Sequence, residues 1–125
     1  MDAPTPDDPA RAPISAGKFH NVDLRVARVD AAPTADGTNV PSRLLTLDLG
    51  PLGRRTSVAQ LALVPESDLI GTLVVVVANL GTRSVGPYES EVLVLGVPHP
   101  DNPAGQGQAT PLTVTGPAEP GQPVF

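Results

Sequence analysis

Three features of the sequence predict an all-β barrel of five short strands. Its apolar residues fall in short Val- and Leu-rich runs rather than helical stripes. Sixteen prolines and twelve glycines crowd the ends and the gaps between those runs, so strands must be brief and loops tight. The third feature is the stretch from Thr72 to Pro98, which reads TLVVVVANL, GTRSVGPYE and SEVLVLGVP: two apolar runs around a turn-rich loop. Neither Val74–Val77 nor Val92–Leu95 alternates with polar residues, so both strands must be covered on both faces, one of them by the barrel interior.

The elements follow in order. Residues 1 to 13 hold four prolines and three aspartates and cannot offset the entropy of ordering, so residues 1–17 are expected to be a disordered tail ahead of one domain, 18–125. Ser15 is placed to cap a single helical turn that drops Phe19 onto the core. In VDLRVARVDAA, Val22, Leu24 and Val26 share a face, and the slip to Val29 predicts a bulge that bends a long first strand. Breakers in residues 32 to 42 make a loop. Leu45, Leu47 and Leu49 alternate with Leu44, Thr46 and Asp48 in a second strand that ends at Gly50-Pro51. RRTSVAQL forms a third strand, antiparallel to the second, with Arg55, Ser57 and Ala59 opposed to Thr56, Val58 and Gln60. ALVPESDLIG, with Pro65, early acidic residues and Gly71, reads as one or two helical turns. The two central runs are the fourth and fifth strands, and ATPLTVTG is a brief last one. The terminal Val124 and Phe125 are an apolar pair expected to dock.

Five main strands with a helical turn between the third and fourth is the order of the OB-fold Greek-key barrel. A β-sandwich is the alternative, and its even strand spacing fits the long loop after Ala31 less well.

Composition narrows the functions. No cysteine is present, which excludes disulfides, thiol nucleophiles and thiolate-bound metal. No apolar run reaches the roughly 18 residues of a spanning helix, and the acidic start lacks the parts of a signal peptide, so a cytoplasmic protein is expected. The net charge is −5, but the tails carry much of it, and from Lys18 to Gly116 six of the seven basic residues are arginines. A local arginine-rich face is compatible with that balance.

The runs FHNVDLRVARV, PSRLLTLDLG, GRRTSVAQL, DLIGTLVVVVANL and YESEVLVLGVP resemble, in order and spacing, the tRNA-binding-domain family of OB-folds. The likeness spans Phe19 to about Pro98, with Ser57-Val58-Ala59-Gln60-Leu61 and Ser90-Glu91-Val92-Leu93-Val94-Leu95-Gly96 as its most specific parts. Where tRNA-binding relatives carry Ser-x-Gly-Met, Ser90-Glu91-Val92-Leu93 sides with the CsaA-type branch, described as secretion-related chaperones. The resemblance implies a non-enzymatic homodimer whose ligand surface holds tRNA, or else unfolded polypeptide. By motif, its polar surface residues fall on Ser57, Gln60, Asn79, Arg83 and Ser90.

The residues themselves add candidates. Arg54 and Arg55 lie where the second and third strands meet, near the usual OB ligand face, and guanidinium groups suit phosphate. They are equally readable as solvent-facing charges. Arg83 and Tyr88 occupy the loop between the fourth and fifth strands, where Tyr88 either stacks on a ligand or fills the barrel mouth. Asn79 either pins that loop or lines the ligand surface. Glu91 beside Ser90 has no base or nucleophile turn near it in sequence, and His20 and His99 have unrelated spacing, so neither catalysis, a cofactor nor a metal is expected.

Overall fold

In the computed structural model, which describes residues 6–102 and 107–125, the leucine alternation of the second strand makes the centre of the core. Leu45 and Leu47 are wholly buried and Leu49 nearly so, while Leu44, Thr46 and Asp48 are half-buried on the other face. A period of two is what sends successive side chains to opposite faces of a strand.

The elements are α1 (Ala16–Phe19), β1 (Leu24–Ala31), β2 (Arg43–Asp48), a 3-10 turn (Gly50–Leu52), β3 (Arg54–Ala59), α2 (Glu66–Leu69), β4 (Leu73–Val77), β5 (Arg83–Val85), β6 (Tyr88–Ser90), β7 (Leu93–Val94), β8 (Gly96–Pro98) and β9 (Ala109–Pro111). The main sheet runs β3-β2-β1-β4-β7, with β5–β6 and β8–β9 as separate hairpins. All its pairs are antiparallel, and β3 comes back against β6 and the start of β7 to give a nearly closed barrel. This is the expected OB-fold order, with α2 between β3 and β4. Among the described residues no helix is long and apolar enough to cross a membrane.

The first strand does carry a bulge, but not at the slip between Val26 and Val29, where pairing with β4 is regular; it lies between Val29 and Ala31, where the register to β2 shifts by one residue at Asp30. Ser15 caps α1 by accepting from the Lys18 N–H at 3.1 Å. Phe19 does not reach the core, however. It stays 41 % exposed and stacks at a tilt on His20, because the helix is only one turn long and Phe19 is its last residue. Residues 1–5 of the expected tail lie outside the described residues; residues 6–15 form no helix or strand and are exposed.

The fourth strand is apolar on both faces, as anticipated, and this chain covers both: Val74 and Val76 join the core, and Val75 and Val77 are 9 % and 5 % exposed. The fifth run departs from one continuous strand. It is broken at Glu91–Val92 and again at Leu95 into β6, β7 and β8; at the first break the Ser90 and Glu91 side chains turn toward β3 and occupy hydrogen bonds that a continuous ladder would make. Val92 is buried, whereas Leu93 and Val97 are 36 % and 51 % exposed.

The last residues run beside β1 as an irregular extra strand. The Val26 N–H donates to Gln122 O, the Gly121 N–H to Val26 O, and the Val124 N–H to Leu24 O, at 2.7–2.9 Å. Two glycines permit this approach. Gly121 has φ +89°, and a Cβ there would collide with Leu49 O; a Cβ on Gly50 would collide with Pro120 O. Val124 is half-buried by this docking, and Phe125 is 94 % exposed.

Candidate ligand groove

β3 decides which predicted residues can face a ligand. Its inward positions are Ser57 and Ala59, 1 % and 8 % exposed, and its outward positions are Thr56, Val58 and Gln60. Ser57 is therefore inside the barrel, and Gln60 is on the outer face. Two loops flank that face. On one side lies Thr38–Ser42 of the β1–β2 connection; on the other lies the β5–β6 hairpin, which turns at Gly86-Pro87 and pairs Arg83 with Ser90 and Val85 with Tyr88.

Two clefts result, and Val58, Gln60 and Arg83 line both, forming the ridge between them. The first, of about 380 Å³, has aliphatic walls from Leu93, Val94, Leu95 and Ala109. The second, of about 360 Å³, is more polar, with Thr38, Asn39 and Ser84. They lie side by side across β3, in the place where OB-folds take ligands.

Ser90 and Asn79 hold this scaffold together, while Ser57 is buried inside the barrel. Ser90 is 2 % exposed and accepts the Val58 N–H on its Oγ at 3.0 Å. Beside it, Glu91 Oε1 accepts both the N–H and the Oγ1 of Thr56 at 3.0 Å, and the Glu91 N–H donates to Thr56 O. Asn79 accepts the Asp23 N–H and donates from Nδ2 to Asn21 O, so it pins the end of β4 to the entry of β1, outside the groove. Tyr88 is half-buried, on the same side of its hairpin as Ser90. Gln108, which sequence reasoning missed, is 1 % exposed and ties Ala62 to Pro41 through both ends of its amide. No periodic signal marks it.

The arginines are mostly committed. Arg43 donates to the carbonyls of Ala32, Leu61 and Val64, and Arg25 to Asp23 and Gly121 O. Arg28 bonds Asp30 at 3.0 Å and Asp48 at 2.8 Å, and Arg54 reaches the other oxygen of Asp30 at 3.3 Å. The two arginines beside it hold the Asp30 carboxyl below its ordinary range, the hydrogen bond from Arg28 contributing most; that same bond raises Arg28. Arg54 and Arg55 are successive strand residues, so they point to opposite faces and make no common patch. Arg55 folds back beside Gly53 and donates to Arg54 O. Of the arginines from Arg25 onward, Arg83 alone has neither an ion pair nor a hydrogen bond from its side chain to the described residues. Also among the described residues, no group of three or more His, Asp or Glu side chains is placed to hold a metal ion.

No protein-family model matches the chain. The chaperone CsaA of Bacillus anthracis is 32 % identical and superposes with a TM-score of 0.79, covering 91 % of this chain and 100 % of its own. The CsaA chaperone protein of Picrophilus torridus is 27 % identical with a TM-score of 0.79, over 90 % of this chain and 99 % of its own. A methionine–tRNA ligase of Thiobacillus denitrificans is 42 % identical over 95 residues, 74 % of this chain but 14 % of the ligase, so the chain spans about a seventh of the length of that enzyme. With near-complete coverage of the Bacillus anthracis protein and the same barrel, the chain belongs to the CsaA-type branch of the tRNA-binding-domain family of OB-folds.

Proposed function

We propose that this chain is a non-enzymatic RNA-binding protein that takes tRNA, or RNA of similar shape, weakly in the groove across β3, acting as a homodimer in the cytoplasm. The observation that carries the reading is Arg83, an uncommitted guanidinium on the ridge between the two flanking loops, beside the exposed amide of Gln60. Guanidinium suits phosphate because it stays charged and bonds in pairs. Ser90, Ser57 and Asn79 serve the site from behind, as framework, and Tyr88 supports the hairpin that carries Arg83. Arg54 is tied to Asp30, so it adds little.

One cation per subunit means few released counterions. The expected slope of log K against log salt is about −1 per subunit engaged, far shallower than for strong binders. Titration against total tRNA at two salt concentrations tests this. Arg83→Ala should abolish the shift, and Arg54→Ala should leave it unchanged; the opposite pattern sinks the assignment of the groove.

A second reading, an export-related chaperone for unfolded polypeptide, is favoured by the aliphatic half of the groove, Leu93 through Leu95 with Ala109. Apolar burial is insensitive to screening, so retained binding of apolar peptides in high salt, without any tRNA shift at low salt, would replace the RNA reading.

A further inference from the structure

β3 sends its backbone groups to its two edges in alternation. Arg55, Ser57 and Ala59 face β2, while Thr56, Val58 and Gln60 face the seam where the barrel closes. At the seam Thr56 is satisfied on both sides by Glu91, the Val58 N–H by the Ser90 hydroxyl, and the Gln60 C=O by the Ala109 N–H at 2.8 Å. Between these closures, the Val58 C=O and the Gln60 N–H have no partner among the described residues. They are an acceptor and a donor, one residue apart, on the same strand edge. Both open at the aliphatic cleft of about 380 Å³ walled by Leu93, Val94 and Leu95, with Arg83 on its lining. Backbone polar groups are normally paired, so two adjacent unpaired ones inside a closed ladder make a window in the barrel wall.

Resting on the RNA reading above, we infer that this window receives one unstacked nucleobase. Its edge meets the Val58 C=O and the Gln60 N–H, its faces lie against the aliphatic side chains, and its phosphate reaches Arg83. Four elements are present together: a fixed donor, a fixed acceptor, apolar walls and a cation. A nucleotide carries the complement of each, since a base edge offers donors and acceptors, its ring is flat and apolar, and its phosphate is an anion. An uncharged peptide segment would leave Arg83 unused. The strand edge offers a single donor–acceptor pair, which serves one base edge, so contact is with a nucleotide splayed out of a helix. Donor and acceptor belong to a strand held on both sides, which makes the pair rigid and selective among bases: a base that fails to complete both bonds leaves one group unpaired.

Amide exchange followed by NMR on the intact chain tests this. In the free protein the Gln60 amide should exchange at least tenfold faster than those of Ser57 and Ala59. Saturating AMP, CMP, GMP or UMP, at least one of them, should slow Gln60 tenfold or more, and ribose 5-phosphate should not. Equal slowing by ribose 5-phosphate reduces the site to an anion contact at Arg83 and overturns the base pocket. Slowing by none of the nucleotides, in a chain that binds tRNA, also overturns it and leaves the RNA reading standing. Slowing by an apolar N-acetyl peptide amide and by no nucleotide assigns the window to a polypeptide instead. If the chain binds no tRNA at low salt, the RNA reading falls together with the inference that rests on it.

Discussion

Asp30 and Gly121 show how much a single side chain, or the lack of one, contributes here. Asp30 is the extra residue of the β1 bulge, and its two oxygens receive Arg28 from its own strand and Arg54 from β3. Its carboxyl is lowered in the fold, so its contribution to stability is fully present above the ordinary carboxylate value of about 3.9 and is lost as pH falls through the lowered one. Asp30→Asn should therefore lower stability modestly at neutral pH, since partly exposed pairs contribute little, and flatten the acid limb, so that the two proteins converge as pH falls through the lowered carboxyl. Denaturant melts at pH 3 and pH 6 measure both limbs; an unchanged acid limb would show that Asp30 is not the titrating group. Gly121 combines φ +89° with backbone contact at Leu49 O, whereas Gly71 has φ +83° and nothing within 4 Å of its missing Cβ. Gly71→Ala should cost about 1 kcal/mol from conformation alone. Gly121→Ala must also push the terminal segment off the 3-10 turn and should cost about 3 kcal/mol or more. Equal losses in urea melts would mean that the approach to Leu49 is slack.

At the scale of elements, what was legible followed from local rules. Leu45, Leu47 and Leu49 announced their face by period two, Ser15 its helical turn, and Pro65 with Gly71 the limits of α2. The slip after Val26 suggested a bulge in the right strand but not its place, which is at Asp30. The fifth strand was not legible, because its interruption comes from Ser90 and Glu91 bonding across to β3, and nothing in an apolar run reveals that its flanking side chains will replace backbone partners. The candidate site divides on the same ground. Gln60 and Arg83 are brought together because strand alternation and loop position both favour it, while the adjacent Arg54 and Arg55 looked like a patch only when alternation was ignored. The pairing of Arg54 with Asp30 depends on where the bulge turns that carboxylate. The terminal strand offers its backbone to β1 and to the Arg25 guanidinium, so its proline-rich sequence carried no pattern.

For the whole molecule, Arg25, Arg28 and Arg54 are paired with aspartates on the barrel wall, and several large aliphatic side chains stay exposed elsewhere. Val97, Leu112 and Val114 are each more than a third exposed and lie outside both ligand clefts, and exposed apolar surface of that kind on a small domain is usually an interface. A homodimer using this surface should sediment at twice the monomer mass at micromolar concentration. Val97→Asp should shift it to the monomer with its melting temperature reduced, because the partner contributes stability by mass action. A parent chain that sediments as a monomer removes the dimer from the proposal.

The docking of Gln122 and Val124 on Val26 and Leu24 also bears on how the barrel is made. These contacts join positions almost a hundred residues apart, so they are among the last to form, and long-range closure of this kind slows folding. Until residues 121–124 dock, the N-terminal half of β1 has one edge bare. A bare strand edge is a template for pairing with other chains, so the folding barrel is at its stickiest just before that segment closes over it.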